Sequence, residues 1–158
     1  MNYPKYCMNW MLKFKHLKDY DYRKNYLIYS NIFFFIFAFL IFKNKKNFND
    51  NKIKHSISIL FILTMGVIST KYHNCQCHND SNELVGKWQS IDVYTAIGLN
   101  VILLTLYYKN ININIFLWWV LTMFIFISST IDTDVYVIFH SLWHFMASVY
   151  MYLLIIND

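Results

Sequence analysis

Glycine, proline and charged side chains are scarce in this sequence. Its 158 residues include three glycines and one proline, and 15% are charged, whereas 57% are hydrophobic and 20% aromatic. Soluble domains average about 25% charged residues, so the composition argues against a water-soluble globule. The sequence also has no glycine-rich phosphate loop, no G-x-S-x-G elbow and no H-E-x-x-H motif. The commonest motifs of soluble enzymes are therefore absent, and any chemistry must take place in the membrane.

Cysteine is scarce as well, with Cys7 alone and with Cys75 and Cys77 in one predicted loop. The three cysteines are too few for a disulfide framework and do not indicate a redox compartment. The segment from His73 to His78 is dense in soft metal ligands, but its C-x-C spacing is shorter than structural zinc sites usually have. This segment is therefore the weaker alternative for a metal site. Loop thiols or lipidated cysteines are the better interpretation.

Long apolar runs are what the sequence has in abundance. Five stretches are each close to the roughly 20 residues that a helix needs to cross a bilayer. They span residues 25–42, 55–73, 89–108, 111–131 and 135–156. The sequence therefore predicts an all-α, polytopic transmembrane helix bundle over residues 25–157. Such a chain is an integral, multi-pass membrane protein, in either the plasma membrane or an endomembrane.

The excess of positive charge follows the same pattern. The 14 Lys and Arg residues outnumber nine Asp and Glu, and they lie almost entirely before or between the apolar runs. This placement is typical of membrane-flanking anchors, so we expect no nucleic-acid partner. Residues 1–24 carry six of the cations, interleaved with Trp10, Phe14 and Leu17. They form a basic N-terminal segment, either an interfacial helix or a disordered tail.

Two histidines interrupt the last apolar run. His140 and His144 are four residues apart, so both side chains leave the same face of a helix. An ionisable residue inside a membrane span is a functional candidate by default, because it is costly in hydrocarbon unless it has a partner. The spacing suits two ligands of one metal ion. The alternative is a pair of interfacial histidines that hydrogen-bond to neighbouring helices.

Polar side chains also mark the ends of the second and third runs. Ser69 and His73 share a helix face near the end of the second run, and Asp92 lies at the start of the third. Each residue taken alone has an ordinary structural alternative. Ser69 could bond to its own helix carbonyl, His73 could be a solvated loop residue, and Asp92 could be a charge at a helix N-terminus.

Topology indicates that these side chains can meet. Each span carries the chain to the opposite side of the membrane, so the end of the second span lies at the same face as the starts of the third and fifth. The residues predicted at this face are Ser69, His73, Asp92, His140 and His144. Three imidazoles with a carboxylate and a hydroxyl match a catalytic zinc site, in which three protein ligands leave one position open for water.

The sequence around these residues resembles the CREST superfamily of membrane hydrolases, which includes alkaline ceramidases and adiponectin-type receptors. Tyr72-His73-Asn74-Cys75 resembles the Y-H-x-C element of its myomaker-like branch. Asp134 with Tyr136, followed by His140-Ser141-Leu142-Trp143-His144, resembles the D-x-Y-x-x-x-H-S-x-x-H element of the same branch. The resemblance extends over about residues 56–156.

The resemblance implies a function and a set of roles. His73, His140 and His144 would bind zinc, Asp92 would accept a proton from water, and Ser69 would orient the water or stabilise the oxyanion. The chain is then expected to be a zinc-dependent hydrolase of a membrane lipid amide or ester. The alternative is a non-catalytic myomaker-like membrane protein, acting in fusion or as a receptor, in which zinc is structural.

The same resemblance implies a shortened core. The superfamily has seven core helices, whereas this sequence predicts about five, so the chain resembles a seven-helix core that lacks two helices. Their loss would open the lateral wall that encloses a lipid substrate. A homodimer that completes the helix bundle is one arrangement that would follow.

Overall fold

A computed structural model describes residues 24–44, 51–78, 81–129 and 133–157, which are almost entirely helical and contain no strand. The helices are α1 (Lys24–Ser30), α2 (Ile32–Lys43), α3 (Lys52–Cys77), α4 (Asn82–Tyr107), α5 (Ile113–Ser129) and α6 (Thr133–Ile156). A short 3-10 turn, Tyr108–Asn110, links α4 to α5. The all-α prediction is confirmed. The basic segment predicted for residues 1–24 lies outside the described residues except for its last position.

Four of the helical segments are long and apolar enough to cross a membrane. They are Asn25–Lys43, Lys52–Cys77, Glu83–Asn110 and Val135–Ile156. The remaining helix, α5, is apolar but has 17 residues, a length of about 26 Å against a hydrocarbon core of about 30 Å. Large apolar side chains such as Phe42, Val101 and Phe124 are more than half exposed. These features fit an integral multi-pass membrane protein.

Several helices extend beyond the apolar runs. Helix α4 begins at Asn82 rather than at residue 89, because Ser81 caps it by accepting a hydrogen bond from the Leu84 N–H at 3.3 Å. Helix α3 continues to Cys77 rather than ending at residue 73. The expectation of a loop around Cys75 and Cys77 is therefore wrong. Hydropathy marks the part of a helix that suits hydrocarbon, whereas polar residues can continue the same helix past it.

A polar turn at Asn31 divides the first span into α1 and α2. The Asn31 side-chain amide donates to the Leu27 carbonyl at 2.8 Å and to the Ile28 carbonyl at 3.3 Å. The Asn31 backbone N–H also donates to the Ile28 carbonyl, at 3.3 Å. These bonds tighten the backbone at this position, and the preceding residue, Ser30, is buried.

The main apolar cluster and the predicted site residues lie towards different ends of the bundle. One apolar cluster joins α2, α3, α4 and α6, and its members include Phe34, Ile62, Leu103, Leu154 and Ile155. Near this end, the Asn110 amide donates to the Leu154 carbonyl at 2.8 Å and ties the turn after α4 to α6. The buried side chains of Ser69, His73, Asp92, His140 and His144 lie towards the other end, the polar end, where α3 finishes and where α4 and α6 begin. Two further buried polar residues, His55 and Ser58, lie at the opposite end, at the start of α3.

Gly66 lies where α3 packs tightly against α2. An added Cβ at Gly66 would lie 2.9 Å from Cε2 of Phe35 and 3.1 Å from Cβ of Phe34, whereas one at Gly98 would have no described neighbour within 4 Å. We expect Gly66→Ala to lower the free energy of unfolding by about 1–2 kcal/mol through overpacking. Gly98→Ala is the control, and it should be neutral or stabilising because alanine favours helix. Thermal unfolding in detergent measures both, and equal melting temperatures would contradict the close approach.

Candidate metal centre

Three buried histidines from two helices converge at the polar end of the bundle. His73 belongs to α3, and His140 and His144 belong to α6. One ring nitrogen of each lies within 4.8 Å of the others, and none of the side chains is more than 2% exposed. Their ring centroids are 4.9 to 5.1 Å apart. This three-histidine cluster is close enough to bind a metal ion.

Local helix geometry explains how α3 and α6 present these side chains. His140 and His144 are one helical turn apart, and Ser69 and His73 repeat that spacing on α3. The four side chains are all buried, so each pair faces the interior of the bundle. The alternative that makes His73 a solvated loop residue is wrong, because its side chain is 0% exposed within a helix.

The glutamine three residues after His73 orients its ring. The His73 Nδ1 lies 2.9 Å from the Gln76 Oε1, and a carbonyl oxygen can only accept, so the Nδ1–H donates. The Gln76 amide nitrogen donates in turn to the Tyr136 hydroxyl at 3.4 Å. The His73 Nε2 is thereby left with its lone pair, and it is buried with no hydrogen-bond partner among the described residues. This nitrogen is available to a metal ion.

The His140 ring has a more unusual environment. Both of its nitrogens are buried and have no hydrogen-bond partner in the described part of the chain. Aromatic rings surround it, with the centroids of Tyr136, Trp143 and Phe126 at 4.9, 5.2 and 6.2 Å. Burying an unpaired polar group costs about 1–3 kcal/mol. A metal ion would satisfy one of these nitrogens, so the residues present fit such an ion.

His144 is held on both sides by serine hydroxyls. Its Nδ1 lies 2.7 Å from the Oγ of Ser30, and its Nε2 lies 3.5 Å from the Oγ of Ser69. The ring of Phe34 lies 5.6 Å from the His144 ring, centroid to centroid. Ser69 therefore contacts a histidine ring on another helix, whereas the alternative had it bonding to its own helix carbonyl.

Asp92 lies beside Ser69 on the neighbouring helix. The Asp92 side chain is buried close to the Ser69 hydroxyl. The Asp92 Oδ1 is buried and has no partner among the described residues. Since α4 begins at Asn82 and carries Glu83 in its first turn, Asp92 lies in the third turn. The alternative of a charge at a helix N-terminus is therefore wrong for this residue.

The cysteine-containing segment does not form a second cluster. Cys75 and Cys77 are 0% and 1% exposed in the last turns of α3, which excludes exposed loop thiols. Among the described residues, the group with metal-ligand spacing contains His73 from this segment but neither cysteine. Cys7 lies outside the described residues.

An apolar cleft of about 270 Å³ connects the site to the side of the bundle. It lies between α4 and α5, whose described residues pack against other helices far more than against each other. Asp92 and His140 both line it. Its other walls include Ala96, Asn100 and Leu104 of α4 and Trp119, Met123 and Phe126 of α5. The polar side chains of Asp92, His140 and Asn100 thus line a cleft whose other walls are mostly apolar.

Two contacts of the site were not predicted from the sequence, namely Ser30 against His144 and Gln76 against His73. Gln76 lies three residues after His73, a spacing that places both on one helix face. Ser30 and Asn31 form a polar pair inside the first apolar run, and this pair was the signal that could have indicated a buried polar contact of Ser30.

No family model, no curated protein and no solved structure matches this chain. The described residues form a helical fold with four helices long and apolar enough to cross a membrane and with a buried three-histidine cluster.

Proposed function

We propose that this protein is a zinc-dependent hydrolase that cleaves an amide or ester bond of a membrane lipid. One observation carries the proposal: the Asp92 carboxylate and the His140 ring of the three-histidine cluster line the same apolar cleft. A metal ligand and a proton acceptor therefore have access to the same bound molecule. The resemblance to the CREST superfamily supports the same function.

The donor set supports zinc as the metal. Imidazole nitrogens suit zinc, copper, iron and nickel, and three protein ligands with an open position are the usual arrangement of catalytic zinc. The resemblance selects zinc among these metals. His73, His140 and His144 would hold the ion. When bound, zinc supplies a Lewis acid that polarises a carbonyl group and makes water a stronger acid.

Asp92 is the proposed general base and acid. Its unpartnered Oδ1 accepts a proton from the attacking water and later delivers that proton to the leaving nitrogen or oxygen. Ser69 lies close to the same carboxylate and 3.5 Å from the His144 ring. From this position its hydroxyl would orient the attacking water or stabilise the oxyanion.

The cleft supports a lipid as the substrate. Its walls beyond Asp92 and His140 are mainly apolar, and they belong to helices with the apolar composition of membrane spans. An acyl chain would lie along α4 and α5 with its carbonyl carbon beside Asp92 and His140. An acyl chain is already surrounded by hydrocarbon in the bilayer, so moving it into the cleft brings little hydrophobic free energy. The contribution of the cleft would be to orient the lipid for reaction. A homodimer that completes the bundle stays a prediction.

The test is metal-dependent release of fatty acid. Purified protein in lipid nanodiscs is incubated with a panel of ceramides, N-acyl amides and glycerolipid esters, and the products are measured by mass spectrometry. We expect release from at least one class, loss of release after chelation, and recovery when zinc is restored. Release that persists after complete removal of metal would contradict a zinc-dependent reaction.

A cleft-filling variant tests the substrate path. Ala96→Trp places a large ring in the cleft, and we expect it to lower turnover while the metal content stays unchanged. Val67→Trp is the matched control, because Val67 is 59% exposed on the outer face of α3. Equal turnover of the two variants would exclude the cleft as the substrate site.

A further inference from the structure

Ser30 is the contact between the first span and the metal centre. It is the last residue of α1 and is 7% exposed. Its Oγ lies 3.0 Å from the Leu27 carbonyl oxygen and 2.7 Å from the Nδ1 of His144, which is 114 residues away in the sequence. A serine hydroxyl has one hydrogen and two lone pairs, so the direction of these two bonds determines where the His144 proton resides.

One tautomer of His144 makes more of these bonds than the other. With the proton on Nδ1, the ring donates to Ser30 at 2.7 Å and Ser30 donates to Leu27 at 3.0 Å. With the proton on Nε2, Ser30 must turn its hydrogen to the ring, so the bond to Leu27 is lost. The Nε2–H could then donate only to Ser69, at 3.5 Å, which is long for a hydrogen bond.

Ser69 is compatible with the same tautomer on the other side of the ring. Its Oγ lies 3.5 Å from the His144 Nε2, and a serine hydroxyl can donate its hydrogen to an unprotonated ring nitrogen. In this tautomer the Nε2 lone pair is available to a metal ion in the three-histidine cluster. The polar turn at Asn31 fixes the position of Ser30, since Asn31 donates to the same Leu27 carbonyl at 2.8 Å.

We propose that Ser30 is a positioning residue that holds His144 in the Nδ1–H tautomer and leaves Nε2 free to bind the metal. In general, the hydrogen bond made by one ring nitrogen sets which nitrogen is available as a ligand. The inference rests on the proposed metal site, and it makes the first span part of that site. The Nε2 of His144 therefore carries its lone pair in the metal-free protein as well.

The first measurement is made on metal-free protein. Nitrogen NMR of ¹⁵N-histidine-labelled protein in micelles distinguishes the protonated from the unprotonated ring nitrogen of His144. We expect an unprotonated Nε2 in the wild type and a protonated Nε2 in Ser30→Ala, where Ser69 is the remaining acceptor. Ser30→Thr keeps the hydroxyl, and its methyl group has room in the adjoining crevice of about 660 Å³ that Ser30 lines. It should restore the wild-type tautomer.

The matched control is Ser148→Ala. Ser148 is also buried and also bonds to His144, but its hydroxyl donates to the backbone carbonyl at 2.7 Å rather than to the ring. We expect Ser148→Ala to leave the tautomer unchanged. An unchanged tautomer in Ser30→Ala, or the same shift in Ser148→Ala, would overturn the proposal.

Zinc affinity is the second measurement. Outer hydrogen-bond partners of metal ligands typically contribute 10–100-fold to affinity, so we expect Ser30→Ala to bind zinc about 10–100-fold more weakly. Ser30→Thr and Ser148→Ala should bind as the wild type does. If the wild type binds no zinc but Ser30→Ala still shifts the tautomer, the proposed function fails and the role of Ser30 in positioning the ring stands.

Discussion

His140→Ala and His144→Ala should each abolish stoichiometric metal binding. The wild type is expected to retain one zinc ion per chain after purification in detergent, as three convergent imidazoles with an open position would hold it. Removing one of three ligands should weaken binding more than about 100-fold, because partners that only orient a ligand already contribute 10–100-fold. Elemental analysis of monodisperse protein and competition with a zinc chelator measure the stoichiometry and the affinity.

His55→Ala is the matched control for these two variants. His55 is also a buried helical histidine, 1% exposed, but it lies at the start of α3, where its ring bonds to the Asn51 carbonyl at 3.0 Å. We expect this variant to keep the wild-type zinc content. The absence of zinc from folded wild-type protein would contradict the proposed zinc-dependent hydrolase activity. Equal zinc loss from His55→Ala and His140→Ala would show that the loss reflects general destabilisation.

Asp92→Asn separates catalysis from metal binding. The amide has nearly the same shape as the carboxylate and can still form hydrogen bonds, so we expect the fold and the zinc content to be unchanged. Because an asparagine cannot accept and return the proton, turnover should fall about 10²–10⁴-fold, the usual contribution of a general acid or base. The rate of fatty-acid release at saturating lipid is the measurement.

Glu83→Gln is the matched control, because it removes the same charge from the exposed first turn of the same helix. It should leave turnover unchanged. If Asp92→Asn instead retains full biological activity and zinc, the metal serves to join α3 to α6. The protein is then the non-catalytic alternative, in which fusion or receptor-like activity depends on the fold.

The helical class and most of the candidate site could be predicted from the sequence. Apolar runs of nearly 20 residues leave few structures other than a helix, because the bilayer core offers no water to satisfy backbone groups. The spacing of four residues within each pair, Ser69 with His73 and His140 with His144, fixes a shared helix face by local geometry. Counting membrane crossings then assigned both pairs and Asp92 to one side.

The exact extent of the helices could not be predicted in this way. Asp92 is an example, because hydropathy placed it near the entrance of a span whereas α4 begins at Asn82. Cys75 and Cys77 are another, since they continue α3 as buried residues instead of forming a loop. Hydropathy records which residues suit lipid. Helix ends depend on caps such as Ser81 and on neighbouring helices that cover polar turns.

By itself, the sequence determined that this chain is α-helical, that its helices are apolar enough to cross a membrane, and which ionisable side chains these helices carry. Only the tertiary structure decided that Ser30 contacts His144, that Gln76 orients the His73 ring, and that α4 and α5 leave a cleft beside Asp92. The physical reason is the range of the interactions. Helix formation and side-chain periodicity act within a few residues, whereas these contacts depend on how helices distant in sequence pack together.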